Sequence, residues 1–142
     1  MPPELDSLIR TAIGDAPFSR LHGLRIDAVE PDRVRFTLPY REAVTTIGDL
    51  VHGGAISALI DASATAAAWS GADLARGPRG TTVGFTVNFL NGARGQDVTA
   101  TARVIQRGQS LVVCDVDVAG ADGTAIARAL VTYKLSHRDA AA

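Results

Sequence analysis

The chain has 142 residues, of which 46% are hydrophobic and 20% charged, so it is long and apolar enough for one globular domain with a hydrophobic core. Its net charge of −1 gives no electrostatic reason to expect nucleic acid or a membrane surface as a partner. The single cysteine, Cys114, excludes an intramolecular disulfide, and the first ten residues lack the basic and apolar pattern of an export signal. We therefore expect a cytoplasmic protein.

The first third of the chain predicts one helix and a hairpin. Apolar residues at helical spacing predict an amphipathic helix over about 3–14, which Pro17 ends. Apolar and polar residues alternate over 24–30 and 33–39, with a proline-containing turn between them, which is typical of two paired strands. Residues 41–48 are then expected to form a loop.

The stretch from Gly53 to Gly71 has the composition of a buried helix. It contains one ionisable side chain, Asp61, among alanines, small hydroxyl residues and a few large apolar residues. A surface helix would carry a charged stripe opposite its apolar one, so we predict a central buried helix over about 53–70. Ser57, Asp61 and Thr65 are spaced four residues apart and share one face of that helix. A lone carboxylate on a hydroxyl-lined face is a candidate site.

Four strands are predicted after the central helix, because apolar and polar residues alternate there between turn signals. They cover about 81–90, 98–106, 111–119 and 124–135. The connection over 71–80 is rich in glycine, proline and charge, and the alanine tail at about 138–142 is expected to be disordered. This order of elements predicts an α+β fold, in which a curled antiparallel sheet of five to six strands wraps around the long helix.

One motif carries a resemblance to a known family. The helix is headed by Val51-His52-Gly53-Gly54-Ala55, an acid follows nine residues after the histidine, and four strands lie behind it. This pattern, over about residues 15–135, resembles the hotdog fold and, more narrowly, the PaaI-like acyl-CoA thioesterases. The resemblance implies hydrolysis of an acyl-CoA thioester by a homodimer, with two dimers forming a tetramer. It also implies that coenzyme A enters as part of the substrate, with no separate cofactor.

Thioester hydrolysis needs a hydrogen-bond donor for the oxygen that becomes negative and a base or nucleophile at the carbonyl carbon. The Gly53 amide, at the start of a helix, suits the first role, and the Asp61 carboxylate suits the second. The two are eight residues apart, about 12 Å along a helix, whereas both must lie about 3 Å from one carbonyl group. We therefore expect a twofold dimer in which one subunit's Gly53 meets the partner's Asp61.

The resemblance also implies roles for other positions. His52 and Gly54 belong to the motif, Thr65 corresponds to a hydroxyl that assists the acid, and Thr82 corresponds to a Ser or Thr that lines the site. Family members often carry Asn or Gln at the position of Thr46. A hydroxyl there departs from the family pattern, which leaves the role of that amide open and makes nearby Asp49 an alternative polar group.

Several of these residues have a structural alternative. Asp61 can be a structural carboxylate, His52 can be a helix cap or loop orienter, Ser57 can bond back to its own helix, and Thr82 can be an ordinary strand residue. Arg79 and Arg94 are candidates for the coenzyme A phosphates or ordinary surface charges. Three scattered histidines and a solitary cysteine predict no metal site.

Two other functions stay open at this point. A hotdog hydratase or dehydratase would act on the same acyl thioesters, but such enzymes usually pair histidine and acid at a different spacing. A non-catalytic acyl-CoA binder is the third possibility, which the Thr46 departure supports. The acyl group itself is not indicated, because Trp69, Phe85 and Phe89 can line an aryl or medium-chain pocket or belong to the core.

Overall fold

The computed structural model describes residues 1–138. Three α-helices are α1 (Pro3–Leu8), α2 (Pro17–His22) and α3 (Gly53–Trp69), and a π-helical segment (Ile9–Gly14) continues α1. Six strands are β1 (Arg25–Glu30), β2 (Arg33–Leu38), β3 (Arg79–Phe89), β4 (Val98–Arg107), β5 (Leu111–Gly120) and β6 (Ala125–Ser136). Short 3₁₀ turns lie at Glu42–Val44 and Leu74–Arg76.

The six strands form one antiparallel sheet in the order β1-β2-β4-β5-β6-β3. The sheet curls around α3, which contacts every strand. The fold class is therefore confirmed as α+β with a hotdog arrangement. The strand that follows the central helix, β3, lies at the edge of the sheet beside β6, and residues 90–97 cross from that edge back to the centre. Both edge strands, β1 and β3, thus belong to the part of the chain before residue 90.

The N-terminal region differs from the sequence prediction. The helical path over 3–14 is present, but its second half is π-helical, and Pro17 begins another helix in addition to following the first one. Proline suits the first position of a helix because its missing N–H would have no partner there. Gly23, with a φ of 72°, ends this short helix in the left-handed conformation. The predicted disordered tail lies mostly beyond the described residues, since only Arg138 of it is among them.

The central helix is buried along most of its surface. Leu59, Ile60 and Ala64 are fully buried against the sheet, and the alanines of the last two turns are too. The predicted polar face, with Ser57, Asp61 and Thr65, is only half-buried, and Asp61 and Thr65 line a cavity that residues of the N-terminal region also line. The helix therefore presents one partly open stripe, and that stripe carries its only charge.

Side chains close both ends of α3. His52 caps its start, and the Arg107 guanidinium donates to the carbonyl oxygens of Ala67 and Ala68 at its end while pairing with Asp32. A cation at the C-terminus of a helix also interacts favourably with the helix dipole. Within residues 1–138, no helix has the length and apolar character needed to cross a bilayer.

The single cysteine gives a test of this packing. Cys114 is fully buried in β5, and burial raises the pKa of its thiol to about 11. Because only the thiolate reacts, a pKa of about 11 leaves about one thiol in a thousand reactive at pH 8. We expect a disulfide reagent such as DTNB to leave Cys114 unmodified in the folded protein at pH 8 and to react with it fully in denaturant. Rapid reaction of the folded protein would contradict this packing.

Candidate active site

The start of α3 presents one free backbone donor. The Gly54 N–H donates to His52 Nδ1 at 2.7 Å, and the N–H groups of Ala55 and Ile56 donate to the His52 carbonyl at 3.0 and 3.1 Å. The Gly53 N–H has no acceptor anywhere among residues 1–138. Gly53 also lines a cavity of about 320 Å³ together with Thr46 and the Phe89 ring. The site therefore has a helix-start N–H that is available to a ligand oxygen.

His52 acts as the N-cap of α3. Its Nδ1 accepts the Gly54 N–H, so the neutral ring carries its proton on Nε2. Of the two roles left open for this residue, the structure shows the cap. A direct catalytic role for His52 stays a prediction. Gly54 is part of the same contact, since a Cβ there would lie 2.9 Å from His52 Nδ1.

Removal of this cap has a measurable cost. We expect His52→Ala to lower the free energy of unfolding by about 1 kcal/mol, the usual cost of losing an N-cap. His52→Asn should recover most of that loss, because asparagine is among the preferred N-cap residues. Chemical denaturation at one fixed protein concentration measures both variants. Equal losses of unfolding free energy in the two variants would show that His52 stabilises the protein through a contact other than the N-cap.

The Asp61 carboxylate is positioned by β3. The Thr82 hydroxyl donates to Asp61 Oδ1 at 2.6 Å, so the threonine predicted to line the site is in direct contact with the acid. Asp61 is half-buried and lines a cavity of about 230 Å³ that Thr65 also lines. In the described chain, Thr65 makes no hydrogen bond to Asp61, which leaves its hydroxyl for water or substrate.

One chain does not bring Gly53 and Asp61 together. Gly53 lines the cavity at the Phe89 end of β3, whereas Asp61 lines the cavity between α3 and the N-terminal helices. The two residues are separated by two turns of α3, about 12 Å. The separation of Gly53 from Asp61, which led us to expect a site shared between two subunits, is therefore present in the folded chain.

Of the remaining candidate residues, some line the Gly53 cavity and others bond within the protein. Thr46 lines the same cavity as Gly53, so the loop brings this residue near the start of α3. Ser57 donates its hydroxyl to the Gly53 carbonyl at 2.9 Å, which is the bond back to its own helix that the sequence allowed. A substrate contact for either residue stays a prediction. Among the aromatic residues left open, Phe89 lines the Gly53 cavity and Trp69 donates to the Tyr133 hydroxyl at 2.7 Å.

The two candidate arginines lie far apart in one subunit. Arg94 follows β3 and pairs with Asp49 at 3.1 Å. These two exposed residues, for which the sequence suggested separate roles, therefore form one ion pair. Arg79 begins β3 and, within the described residues, has no carboxylate partner. Eleven strand residues span more than about 30 Å, so one ligand cannot reach both arginines of the same subunit.

The N-terminal side of the Asp61 cavity was not predicted from the sequence. Ile13, Phe18 and Leu24 line the cavity beside Asp61, and Phe18 lies on the helix α2 that was not predicted. The available signal was Pro17 with Gly23, a helix-start residue and a helix-end residue at the right separation. No group of three potential metal-binding side chains occurs in the part of the chain that the structure describes.

The chain is similar in sequence to a known family and to proteins named as esterases. The family model described as the thioesterase superfamily matches residues 48–127, more than half of the chain. A relative from Pseudomonas aeruginosa, named as an esterase, is 30% identical over 122 residues and is matched over 84% of this chain and 79% of its own length. Another esterase-named relative, from Saccharolobus solfataricus, is 28% identical over 111 residues, which cover 78% of this chain and 72% of that protein.

Solved structures agree with the sequence matches. The crystal structure of a thioesterase family protein from Silicibacter pomeroyi has a TM-score of 0.86 at 30% identity and covers 94% of this chain and 98% of its own. A mutant thioesterase from Pseudomonas aeruginosa has a TM-score of 0.84 at 26% identity, with 96% of each chain covered. A hypothetical thioesterase from Streptococcus pneumoniae, solved with coenzyme A, shares the fold at 17% identity with a TM-score of 0.77 and 92% and 99% coverage. On the family match and the 30% identical relative, the chain belongs to the thioesterase superfamily.

Proposed function

We propose that this protein hydrolyses an acyl-CoA thioester to the free acid and coenzyme A, as a PaaI-like member of its superfamily. The observation that carries the proposal is the Gly53 N–H, which lies at the first position of α3 with no acceptor in residues 1–138. The first N–H groups of a helix have no intrahelical partner, so this half-buried donor is open to a ligand oxygen. A thioester carbonyl oxygen is such a ligand.

The chemistry follows from the two groups. The Gly53 N–H donates to the carbonyl oxygen and stabilises the negative charge that develops there. The Asp61 carboxylate either removes a proton from the attacking water or itself attacks the carbonyl carbon. In both cases the carbon–sulfur bond breaks, coenzyme A leaves as the thiol, and water supplies the oxygen of the acid. The Thr82 hydroxyl holds the Asp61 carboxylate in place at 2.6 Å.

The site is completed by a twofold dimer formed along β3. This strand has 11 residues, and its outer edge pairs with no strand in the described chain. It also exposes large apolar side chains, with Val83, Phe85 and Phe89 being 60%, 38% and 51% exposed. A long apolar edge is an unstable surface in water and a template for another strand. A second copy of this chain, paired antiparallel, is the occupant we propose.

Pairing of β3 with its copy would join the two halves of the site. Thr82, near the start of β3, holds Asp61, while Phe89, at its end, lies against Gly53, where a Cβ would be 3.3 Å from the ring. Antiparallel pairing places the start of one strand beside the end of the other. The Gly53 of one protomer would then lie beside the partner's Asp61, and a twofold axis gives two such sites. A dimer of dimers is part of the same proposal.

Binding of coenzyme A is proposed on chemical grounds. Arginine suits phosphate because it offers two parallel donors, and β3 pairing would bring Arg79 of one protomer toward the Arg94 end of the other. The coenzyme A in the Streptococcus pneumoniae structure is a reason to test CoA thioesters first. No separate cofactor is invoked. A cytoplasmic location remains a prediction from the single cysteine.

A thiol-release assay over a panel of acyl-CoAs tests this proposal. We expect turnover of at least one acyl-CoA, with release of one thiol per acid formed. An enoyl-CoA substrate followed at the wavelength of its double bond tests the hydratase alternative in the same samples. Tight binding of acyl-CoAs without thiol release would overturn hydrolysis in favour of the binder that the Thr46 departure allows.

A further inference from the structure

The Thr82 side chain faces α3 because of an irregularity in β3. From Phe85 to the end of the strand, every odd-numbered residue pairs with a buried residue of β6 and so lies on the inner face of the sheet. Regular alternation would therefore place Thr82 on the outer face. The pairing register shifts after Thr82, so that Val83 is an extra residue on β3 and Thr82 pairs with the buried Tyr133. This β-bulge turns the Thr82 hydroxyl inward, toward Asp61.

Tyr133 connects this part of β3 to the central helix. It lies opposite Thr82 on β6, and its hydroxyl oxygen accepts the Trp69 Nε1–H at 2.7 Å. Its ring also lies close to the start of β3, where a Cβ on Gly80 would be 2.4 Å from the tyrosine oxygen. A residue without a side chain is needed for such a close approach. Tyr133 therefore joins β6, the start of β3 and the end of α3 at one point.

We propose that Tyr133 is a positioning residue for Asp61. Its hydrogen bond to Trp69 fixes the bulged part of β3 relative to α3, and the bulge in turn holds the Thr82 hydroxyl on Asp61 Oδ1. Asp61 Oδ2 accepts no hydrogen bond from residues 1–138, so it is the oxygen that remains for the reaction. The proposal rests on the proposed function, because it assigns a role in the same reaction.

Trp69 lies on the helix face that carries the acid. Asp61, Thr65 and Trp69 are spaced four residues apart, so all three lie on one side of α3. A helical side chain leans toward the N-terminus of its helix, which brings the indole ring back along this face in the direction of Asp61. The same face of α3 therefore contacts the β3–β6 pair twice, through Trp69 to Tyr133 and through Asp61 to Thr82. Loss of the first contact should loosen the second.

The ionisation of Tyr133 agrees with a positional role. Burial raises the pKa of its hydroxyl, the hydrogen bond from Trp69 opposes this rise, and the negative charge of Asp61 adds to it. Because the ordinary pKa of tyrosine is already about 10, the hydroxyl stays protonated at neutral pH and does not act as a base. The effect of the Asp61 charge also shows that Tyr133 and the acid are close.

A double-mutant cycle on kcat separates positioning from general packing. Tyr133→Phe keeps the ring and removes the bond to Trp69, so we expect kcat to fall about fivefold, the usual effect of one hydrogen bond. Thr82→Val removes the hydroxyl that Asp61 accepts and should lower kcat about tenfold. If Tyr133 acts through Thr82, the double variant should stay within about twofold of Thr82→Val alone. Independent effects would multiply to about fiftyfold and would overturn the proposal, as would an unchanged kcat in Tyr133→Phe.

NMR spectroscopy reports on the same contacts without any reaction. Trp69 is the only tryptophan, so an isotope-labelled sample gives a single indole N–H signal, which Tyr133→Phe should shift because its acceptor is lost. The same variant should lower the order parameter of the Thr82 methyl group. An unchanged order parameter at Thr82, with the indole signal shifted, would overturn the link between the two contacts.

The matched control is Tyr40→Phe, at the other tyrosine of the chain. The Tyr40 hydroxyl makes no hydrogen bond within residues 1–138, since the side-chain bond at this residue uses its backbone N–H. Its removal should leave kcat, the indole signal and the Thr82 methyl unchanged. A lower order parameter at Thr82 in Tyr133→Phe, in a protein that hydrolyses no acyl-CoA, would overturn the proposed function and leave the anchoring of Thr82 standing.

Discussion

Asp61→Asn is expected to lower the turnover of the best acyl-CoA substrate by about a hundredfold or more, the usual effect of losing a general base or nucleophile. The change is nearly isosteric, and the amide oxygen can still accept the Thr82 hydroxyl that the carboxylate accepts at 2.6 Å. The fold should therefore persist while the basic group is lost. Steady-state kinetics with thiol detection measures the effect, and the expected decrease is in kcat.

A matched substitution separates this effect from a general loss of charge. Asp117 lies on β5, where it is partly exposed and paired with Arg103 and Arg128. Asp117→Asn should leave turnover within about twofold, because surface ion pairs contribute little. If Asp61→Asn retains activity close to that of Asp117→Asn, Asp61 is a structural carboxylate and the mechanism is wrong.

Gly53→Pro is expected to lower kcat by about a hundredfold to a thousandfold, the cost of removing one oxyanion donor. Gly53 is the first residue of α3, where proline is well tolerated, and the preceding His52 already has the extended conformation that a following proline requires, with a ψ of 133°. The substitution thus deletes the single N–H group assigned to the carbonyl and keeps the helix start.

The control for this variant is Gly53→Ala. A Cβ at this position lies 3.3 Å from the Phe89 ring in both variants, so both should shift that ring by a few tenths of an ångström. Alanine keeps the N–H, and its kcat should stay within about tenfold of wild type. Similar large losses in Ala and Pro would show that the Phe89 contact, and not the N–H, accounts for the effect.

Much of the fold was predictable from local pattern. Period-two alternation located all six strands within a few residues of their observed bounds, and composition located α3. The position of β3 at the sheet edge was not predictable in this way, since it depends on the long-range pairing with β6 and not on local alternation. Helix α2 was missed because six residues are too few to establish a helical period.

In the candidate site, too, local sequence features were predictable and long-range contacts were not. Gly53 and Asp61 could be found because a glycine pair at a helix start and a lone acid among alanines are unusual in sequence. The Thr82 contact with Asp61 joins residues 21 positions apart and requires the curl of the sheet over the helix. Phe18 could not be found as a cavity residue, because its proximity to α3 comes from the packing of an unpredicted helix.

The central claim is that one active site is made by Gly53 of one protomer and Asp61 of its partner, and mixing the two inactive variants tests it most directly. Gly53→Pro and Asp61→Asn are unfolded together, refolded and assayed, with native mass spectrometry reporting the fraction of heterodimers. Each heterodimer should contain one intact site and one doubly altered site, so an equal mixture should recover about a quarter of wild-type activity per protomer, the arithmetic of a shared twofold site. A mixture that contains heterodimers and stays as inactive as its parents would contradict the shared site and place the chemistry within one chain.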